Sequence, residues 1–436
     1  MRIPSPSRFP WSGRGILAAL AWLAPAGLAP AAPVFDRAAN LIVFIGDGMG
    51  LEHVVAGHCH KGAPLCFEEW PASALVGTGS ASGLTDSAAA ATAIATGVQV
   101  YNGVVSVADP GDSGDLQTVL EYFQGKGKRT GLVTTDYLTG ATPAAFAAHA
   151  ASRYDTDVIT NGYLARTRPN ILYGGGGIDA AAAAEAGYQV LSNSAGMAAL
   201  DTASATNVCG RFADGAMPYE YDGLGEAPHL WEMTSNALAV LGNGPAGFFL
   251  MVEDSGLDLA SHANHTPRMV QEMRAFDAAV QAALDWATNR TDTLILVTGD
   301  HETGGLVVTN DNGAGADPGV EWTSTGHTAV DIGCWAWGAG AGYVGGAMAH
   351  TNLHHAIVAA SLFQSGCEVS IDTPTNLSMT WRASSGEVFR VETTDDIVSP
   401  AWQPLGVVTA AADTFTIIDS DVGTATQRFY RAVSLP

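Results

Sequence analysis

The sequence is poor in positive charge: 19 Lys and Arg stand against 43 Asp and Glu, a formal net charge of −24. Such an acidic chain has little with which to neutralise a phosphate backbone, which argues against nucleic acid as a partner. Its one basic cluster, residues 126–129, falls between a helical and a strand-like pattern and is expected to form a solvated turn. Cysteine is scarce too. Cys59, Cys66, Cys209, Cys334 and Cys367 leave at least one thiol over, and Cys59 with Cys66 is the expected disulfide because the two are close in sequence. Cys334 lies in an apolar run and is expected to stay a buried free thiol. His58-Cys59-His60 has the residue types of a metal cluster, but no CxxC or HxxxH accompanies it, so a structural role is expected. No Lys-Ser/Thr follows the glycines at 174–177, which excludes a P-loop.

Long apolar runs are also missing, apart from residues 15–28. Arg2, Arg8 and Arg14 precede that run and Ala29-Pro30-Ala31 follows it as a small-x-small cleavage site, the pattern of a secretory signal peptide over residues 1–31. Pro25 interrupts the run, which falls short of the roughly 20 residues a membrane span needs. The chain therefore reads as exported, secreted or periplasmic, without a transmembrane anchor and beginning near Ala32.

What the sequence does contain is a series of short apolar runs, at 41–45, 131–135, 248–252 and 293–297, separated by helical patterns. Those patterns include an amphipathic stretch at 116–123, a run from about 141 that reaches Arg153, and a long helix opened by Pro267. Strands alternating with helices predict a doubly wound α/β sheet with helices on both faces, here over residues 32–366. From about residue 371 the helical patterning stops. Short β-rich runs at 377–382, 388–393, 414–418 and 428–433 predict a small β-sandwich-like module over 371–436, none of whose residues suggests catalysis.

The chemistry-bearing residues gather at the strand ends. Asp47 lies in Gly46-Asp47-Gly48-Met49-Gly50 just past the first run, Glu253 ends the third, and Asp300-His301 follows the fourth. Loops at the carboxyl ends of such strands are where α/β sheets hold ligands. Asp258 and His262, four apart, share a face if helical, and His327 comes later. Three histidines and four acids on one face match the mixed N and O ligands of a multi-zinc site with a harder ion beside it. Ser87 opens an alanine-rich helical run that ends at Gly97, a position that suits either an ordinary N-cap or contact with a phosphate.

In chain order, Asp47-Gly48-Met49-Gly50, Thr85-Asp86-Ser87-Ala88-Ala89, Ala141-Thr142-Pro143, Arg153, Val252-Glu253 with Asp258 and His262, Asp300-His301 and Gly326-His327-Thr328 resemble the alkaline phosphatase family, across roughly residues 40–365. The resemblance implies that Ser87 is a nucleophile that becomes phosphoserine. It implies one zinc on Asp258, His262 and His327, a second zinc on Asp47, Asp300 and His301, and a magnesium on Asp47, Thr142 and Glu253. Arg153 would grip two phosphate oxygens. Small phosphate monoesters would be the substrates, at an alkaline optimum, and a homodimer would be compatible with the family; residues 371–436 would be free to contact a cell surface or polysaccharide. Three departures stand out. Gly140 occupies a position where relatives carry Asp or His, Leu259 replaces a Lys, His or Trp near the phosphate, and the segment between His301 and His327 is short. A phosphodiesterase or sulfatase of the same fold is the nearest rival reading. Ser87 favours monoesters over the Thr usual in diesterases, and Ser87-Ala88-Ala89-Ala90-Ala91 lacks the sulfatase Cys/Ser-x-Pro-x-Arg setting. A non-catalytic surface-binding protein would leave the filled ligand positions unexplained.

Overall fold

A computed structural model describes residues 38–108, 114–361, 368–373, 376–383, 386–394, 402–411, 414–420 and 429–435. The expected signal peptide and Cys367 lie outside the described residues.

The strand Asn40–Gly46 is buried throughout, and its side chains divide by alternation. Leu41, Val43 and Ile45 enter one hydrophobic core, Ile42 and Phe44 a second on the opposite face. Ten strands join this sheet in the spatial order Gly346–Ala349, Ala72–Gly77, Ile332–Gly338, Thr293–Gly299, Asn40–Gly46, Phe248–Asp254, Arg129–Thr134, Ile171–Gly174, Val208–Arg211, Gln189–Leu191. The pairs from Thr293–Gly299 through to Gln189–Leu191 are parallel, whereas Ile332–Gly338 runs antiparallel to both of its neighbours. Helices Ser87–Thr96, Val119–Gly125, Ala141–Ala147 and His350–Ser361 fill the first core. Helices Leu51–Lys61, Leu230–Leu241 and Thr266–Ala287 fill the second. Apolar residues on both faces of the central strands thus require helices on both sides, and the expected doubly wound α/β sheet is observed. Among the described residues, no helix is long and apolar enough to cross a membrane.

Several local expectations need correction. Cys59 and Cys66 are both free, as are Cys209 and Cys334. Cys59 is buried on the helix Leu51–Lys61, while the Cys66 thiol turns to the Asp277 carbonyl oxygen 3.6 Å away, so nearness in sequence does not bring the two sulfurs together. Residues 126–129 are not a simple solvated turn. Lys128 is buried, and its ammonium donates to the carbonyls of Ala39 and Ala246, the latter at 2.8 Å, tying the start of one central strand to the segments before two others. The helical run expected to reach Arg153 stops at Ala147, where Ala148 turns extended, and Arg153 sits in the following turn with its N–H donated to the Gly103 carbonyl at 2.7 Å.

Near the C-terminus, two three-stranded antiparallel sheets carry the strand pairings Glu368–Thr373, Asn376–Arg382, Thr414–Asp419 and Gln403–Thr409, Val388–Thr394, Phe429–Leu435. Met379, Trp381, Phe389, Val391 and Phe415 form their own buried cluster. Phe389 and Phe415 stack with centroids 4.8 Å apart. The first and the Gln403–Thr409 strands were not anticipated, since Ser, Thr, Pro and Gly interrupt their apolar pattern.

Candidate active site

Register brings the acidic strand ends to one level. Gly46 lies beside Asp254 on one side and Gly299 on the other, and Thr134 lies beside Glu253. Asp47, Glu253 and Asp300 therefore leave three adjacent strands at the same edge of the sheet, and all three are buried. Gly48 turns the chain with φ +71°. A Cβ there would stand 2.9 Å from Asp258 Oδ1 and from Thr303 Oγ1, so only glycine lets Asp47 and Asp258 approach.

The serine helix holds a finding that the sequence left open. Asp86, not Ser87, is the N-cap: its Oδ1 accepts from the Ala89 N–H at 3.0 Å. Its other oxygen accepts from the Gly103 N–H at 3.0 Å and from Arg153 Nη1 at 3.3 Å. Asp86 thus ends the helix and aims the arginine, leaving the Ser87 hydroxyl to face the site, 3.4 Å from His301 Nε2.

The three histidines share one arrangement. His262 Nδ1 lies 2.6 Å from the Thr325 carbonyl oxygen and His327 Nδ1 2.9 Å from that of Thr85. A carbonyl can only accept, so both Nδ1 atoms carry the proton. Thr303 does the same for His301. Its hydroxyl donates to Asp258 Oδ1 at 2.6 Å, so its oxygen accepts from His301 Nδ1 at 3.2 Å. In the neutral form each Nε2 then offers a lone pair, and all three turn toward carboxylates: His262 to Asp258 Oδ2 at 3.4 Å, His327 to Asp258 Oδ1 at 3.9 Å, and His301 to Asp300 Oδ2 at 3.2 Å and Asp47 Oδ1 at 3.6 Å. Burial holds His301 down to about 3, so its ring is neutral and makes no ion pair with these acids.

Lone pair facing carboxylate, with no proton between, is unfavourable unless a cation fills the gap. Asp47 Oδ1 and Asp300 Oδ2 are buried and have no hydrogen-bond partner. Burial raises the Asp47 carboxyl well above the ordinary range, and the neighbouring charges of Asp300, Asp258 and Glu253 add to this while Arg153 opposes it. Burial raises Asp300 as well, against the N–H groups of Gly48 and His301 at 2.9 and 2.8 Å. Among the described residues, two sets of ligand atoms are compact enough for an ion: Asp258 with His262 and His327, and Asp47 with Asp258 and His301. Asp258 belongs to both, whereas Asp300 belongs to neither set but lies 3.2 Å from His301 Nε2 beside the second.

Beside these, Glu253 is buried and accepts from the Thr134 hydroxyl at 2.5 Å. Burial, then the charge of Asp136, pushes it up to about 8. Thr142, on the short helix Ala141–Ala147, is buried with its hydroxyl turned to Glu253. His58 and His60 belong to neither ligand set: His58 Nδ1 pairs with Glu68 at 3.1 Å. Sequence reading missed Asp86 and Thr303 as site residues. Asp86 could have been suspected from its place before the helix, but Thr303 reveals its part only through contacts across the fold.

Known proteins resemble this chain in sequence and fold. The model of the alkaline phosphatase family matches residues 38–173 and 174–319. Alkaline phosphatase 3 of Bacillus subtilis is 35% identical over 315 residues, covering 66% of this chain and 65% of that protein. The chain spans slightly less than two thirds of the length of the two Bacillus relatives it matches. Alkaline phosphatase of Escherichia coli is 31% identical over 344 residues, covering 64% of this chain and 73% of that protein. Among solved structures, a variant of the TAB5 alkaline phosphatase with magnesium bound in its M3 site superposes with a TM-score of 0.68 at 27% identity, covering 75% of this chain and 99% of that one. The strand-end acids, the three ligand-ready histidines and these matches together show that the chain belongs to the alkaline phosphatase family.

Proposed function

We propose that the protein hydrolyses phosphate monoesters through a phosphoserine formed on Ser87, with two zinc ions and one magnesium ion held at the site. The observation that carries this reading is the meeting of Ser87 Oγ with the lone pair of His301 Nε2, 3.4 Å away, among carboxylate oxygens that lack partners. Asp258, His262 and His327 would hold one zinc, Asp47, Asp300 and His301 the other, and Asp47, Thr142 and Glu253 the magnesium. When bound, these cations supply the charge that neutralises the buried acids and stabilises the serine and leaving-group oxygens as they become anionic.

The chain's own residues then have defined tasks. Ser87 Oγ passes its proton to water as it bonds to phosphorus, the ester P–O bond breaks, and the departing alkoxide takes a proton back from water. A second displacement by water at the same phosphorus breaks the Ser87 Oγ–P bond, returning the serine and releasing inorganic phosphate. The positive end of the helix Ser87–Thr96 faces the transferred group. Arg153, held by Asp86, is the fork for two of its oxygens. Arg153→Ala is expected to lower kcat/KM about 10²- to 10³-fold. Arg153→Lys should recover only part of that, because an ammonium cannot make the paired contact; steady-state kinetics on p-nitrophenyl phosphate reads both.

Comparing p-nitrophenyl phosphate with its bis ester at pH 7 and pH 10, with and without chelator, tests the reading. The monoester should be strongly preferred, more so at pH 10, and chelator should abolish the reaction. Preference for the diester would favour the rival phosphodiesterase activity.

A further inference from the structure

Gly140 brings no side chain to the Thr142–Glu253 corner, and the structure shows what stands there instead. A Cβ built on Gly140 would lie 2.2 Å from Asp136 Oδ2 and 2.9 Å from its Cγ. The Asp136 carboxylate therefore already fills the space into which residue 140 would project.

Its backbone is fixed at both ends. The Asp136 N–H donates to Thr134 Oγ1 at 2.8 Å, and that hydroxyl donates onward to Glu253 Oε2. The Asp136 carbonyl accepts from the Gly175 N–H at 2.8 Å. Its carboxylate is largely shielded and feels the charges of Arg153 and Asp258, while its own charge is the strongest ionic influence on Glu253. The like charges of Asp136 and Glu253 repel unless something positive lies between them. Two buried hydroxyls stand at the same corner. The Thr142 hydroxyl acts on Glu253 as a hydrogen-bond donor, and the phenol of Tyr163, fully buried, lies near both Glu253 and Asp136. Thr142 is 1% and Tyr163 0% exposed, so neither hydroxyl can be satisfied by bulk water.

We propose that Asp136 is the additional carboxylate of the Thr142–Glu253 cation site, reaching from position 136 into the place left by Gly140 to hold magnesium or one of its waters. The inference rests on the magnesium part of the functional reading.

The test is Mg²⁺ binding to the zinc-loaded protein, by calorimetric titration and by metal content after gel filtration. Asp136→Asn is expected to weaken Mg²⁺ binding about 10- to 100-fold. The double variant Asp136→Ala with Gly140→Asp, which returns a carboxylate to the same space, should bind Mg²⁺ more tightly than Asp136→Ala alone. Melting in the absence of Mg²⁺ separates a structural role: the variants should melt like the parent there and differ only when Mg²⁺ is added. Parental Mg²⁺ affinity in Asp136→Asn, or no recovery in the double variant, overturns the inference and leaves the phosphatase reading standing. A parent protein that takes up zinc but no Mg²⁺ overturns the inference together with the magnesium assignment.

Discussion

Ser87→Ala is expected to lower kcat/KM for a phosphate monoester by about 10⁴-fold, roughly 5.5 kcal/mol of barrier, while leaving fold and metal content intact. The separation follows from the way the helix begins. Were Ser87 the N-cap, its loss would cost about 1 kcal/mol of stability as well. The cap is Asp86, whose bonds to the N–H groups of Ala89 and Gly103 survive the substitution. Only the weak contact with His301 Nε2 at 3.4 Å disappears. Steady-state kinetics, metal analysis and a melting curve on the same preparation would check this. Activity within tenfold of the parent would exclude Ser87 as the attacking group.

Complete removal of metal is expected to abolish hydrolysis and to destabilise the protein, increasingly so as pH rises. In the metal-free chain, Glu253 titrates at about 8 against an ordinary 4.5, and Asp47 and Asp300 are also raised, by burial first. A carboxyl whose folded value is raised binds its proton more tightly in the native state. Its contribution to stability is therefore present below the ordinary carboxylate range and lost as pH climbs through the folded value. The melting temperature of the chelated protein should fall between pH 5.5 and pH 9. The loaded protein should hold its melting temperature over that range, because cations bind the deprotonated acids and add about 4 kcal/mol per site at a thousand times Kd. Scanning calorimetry at both pH values decides it; a chelated protein as stable at pH 9 as at pH 5.5 would mean that these acids are not crowded together without metal.

Much of this site is visible in the sequence because α/β folding couples it to the apolar runs. A buried strand ends where its hydrophobic run ends, so Asp47, Glu253 and Asp300 announce their own location, and the spacing of Asp258 and His262 gives their shared helical face. What orients them is not visible. The carbonyls of Thr85 and Thr325, which fix the tautomers of His327 and His262, are backbone atoms with no residue signature, and the first lies 242 residues from its histidine. The antiparallel insertion of Ile332–Gly338 could not be read either, since a fully buried antiparallel strand is as apolar as a parallel one. Lys128 shows the same limit for charge: flanked by Lys126 and Arg129 it reads as solvated, yet two carbonyls that only the fold brings near hold it in the interior.

Acid quenching of the enzyme during turnover of a monoester, followed by peptide mass spectrometry, tests the central proposal most directly. Phosphate should be found on Ser87, trapped best at low pH, and should be absent from Ser87→Ala. Turnover with no phosphorylated Ser87 at any quench time and pH, or phosphate on another residue, would contradict the assignment of Ser87 as the group that carries the phosphoryl between ester and water.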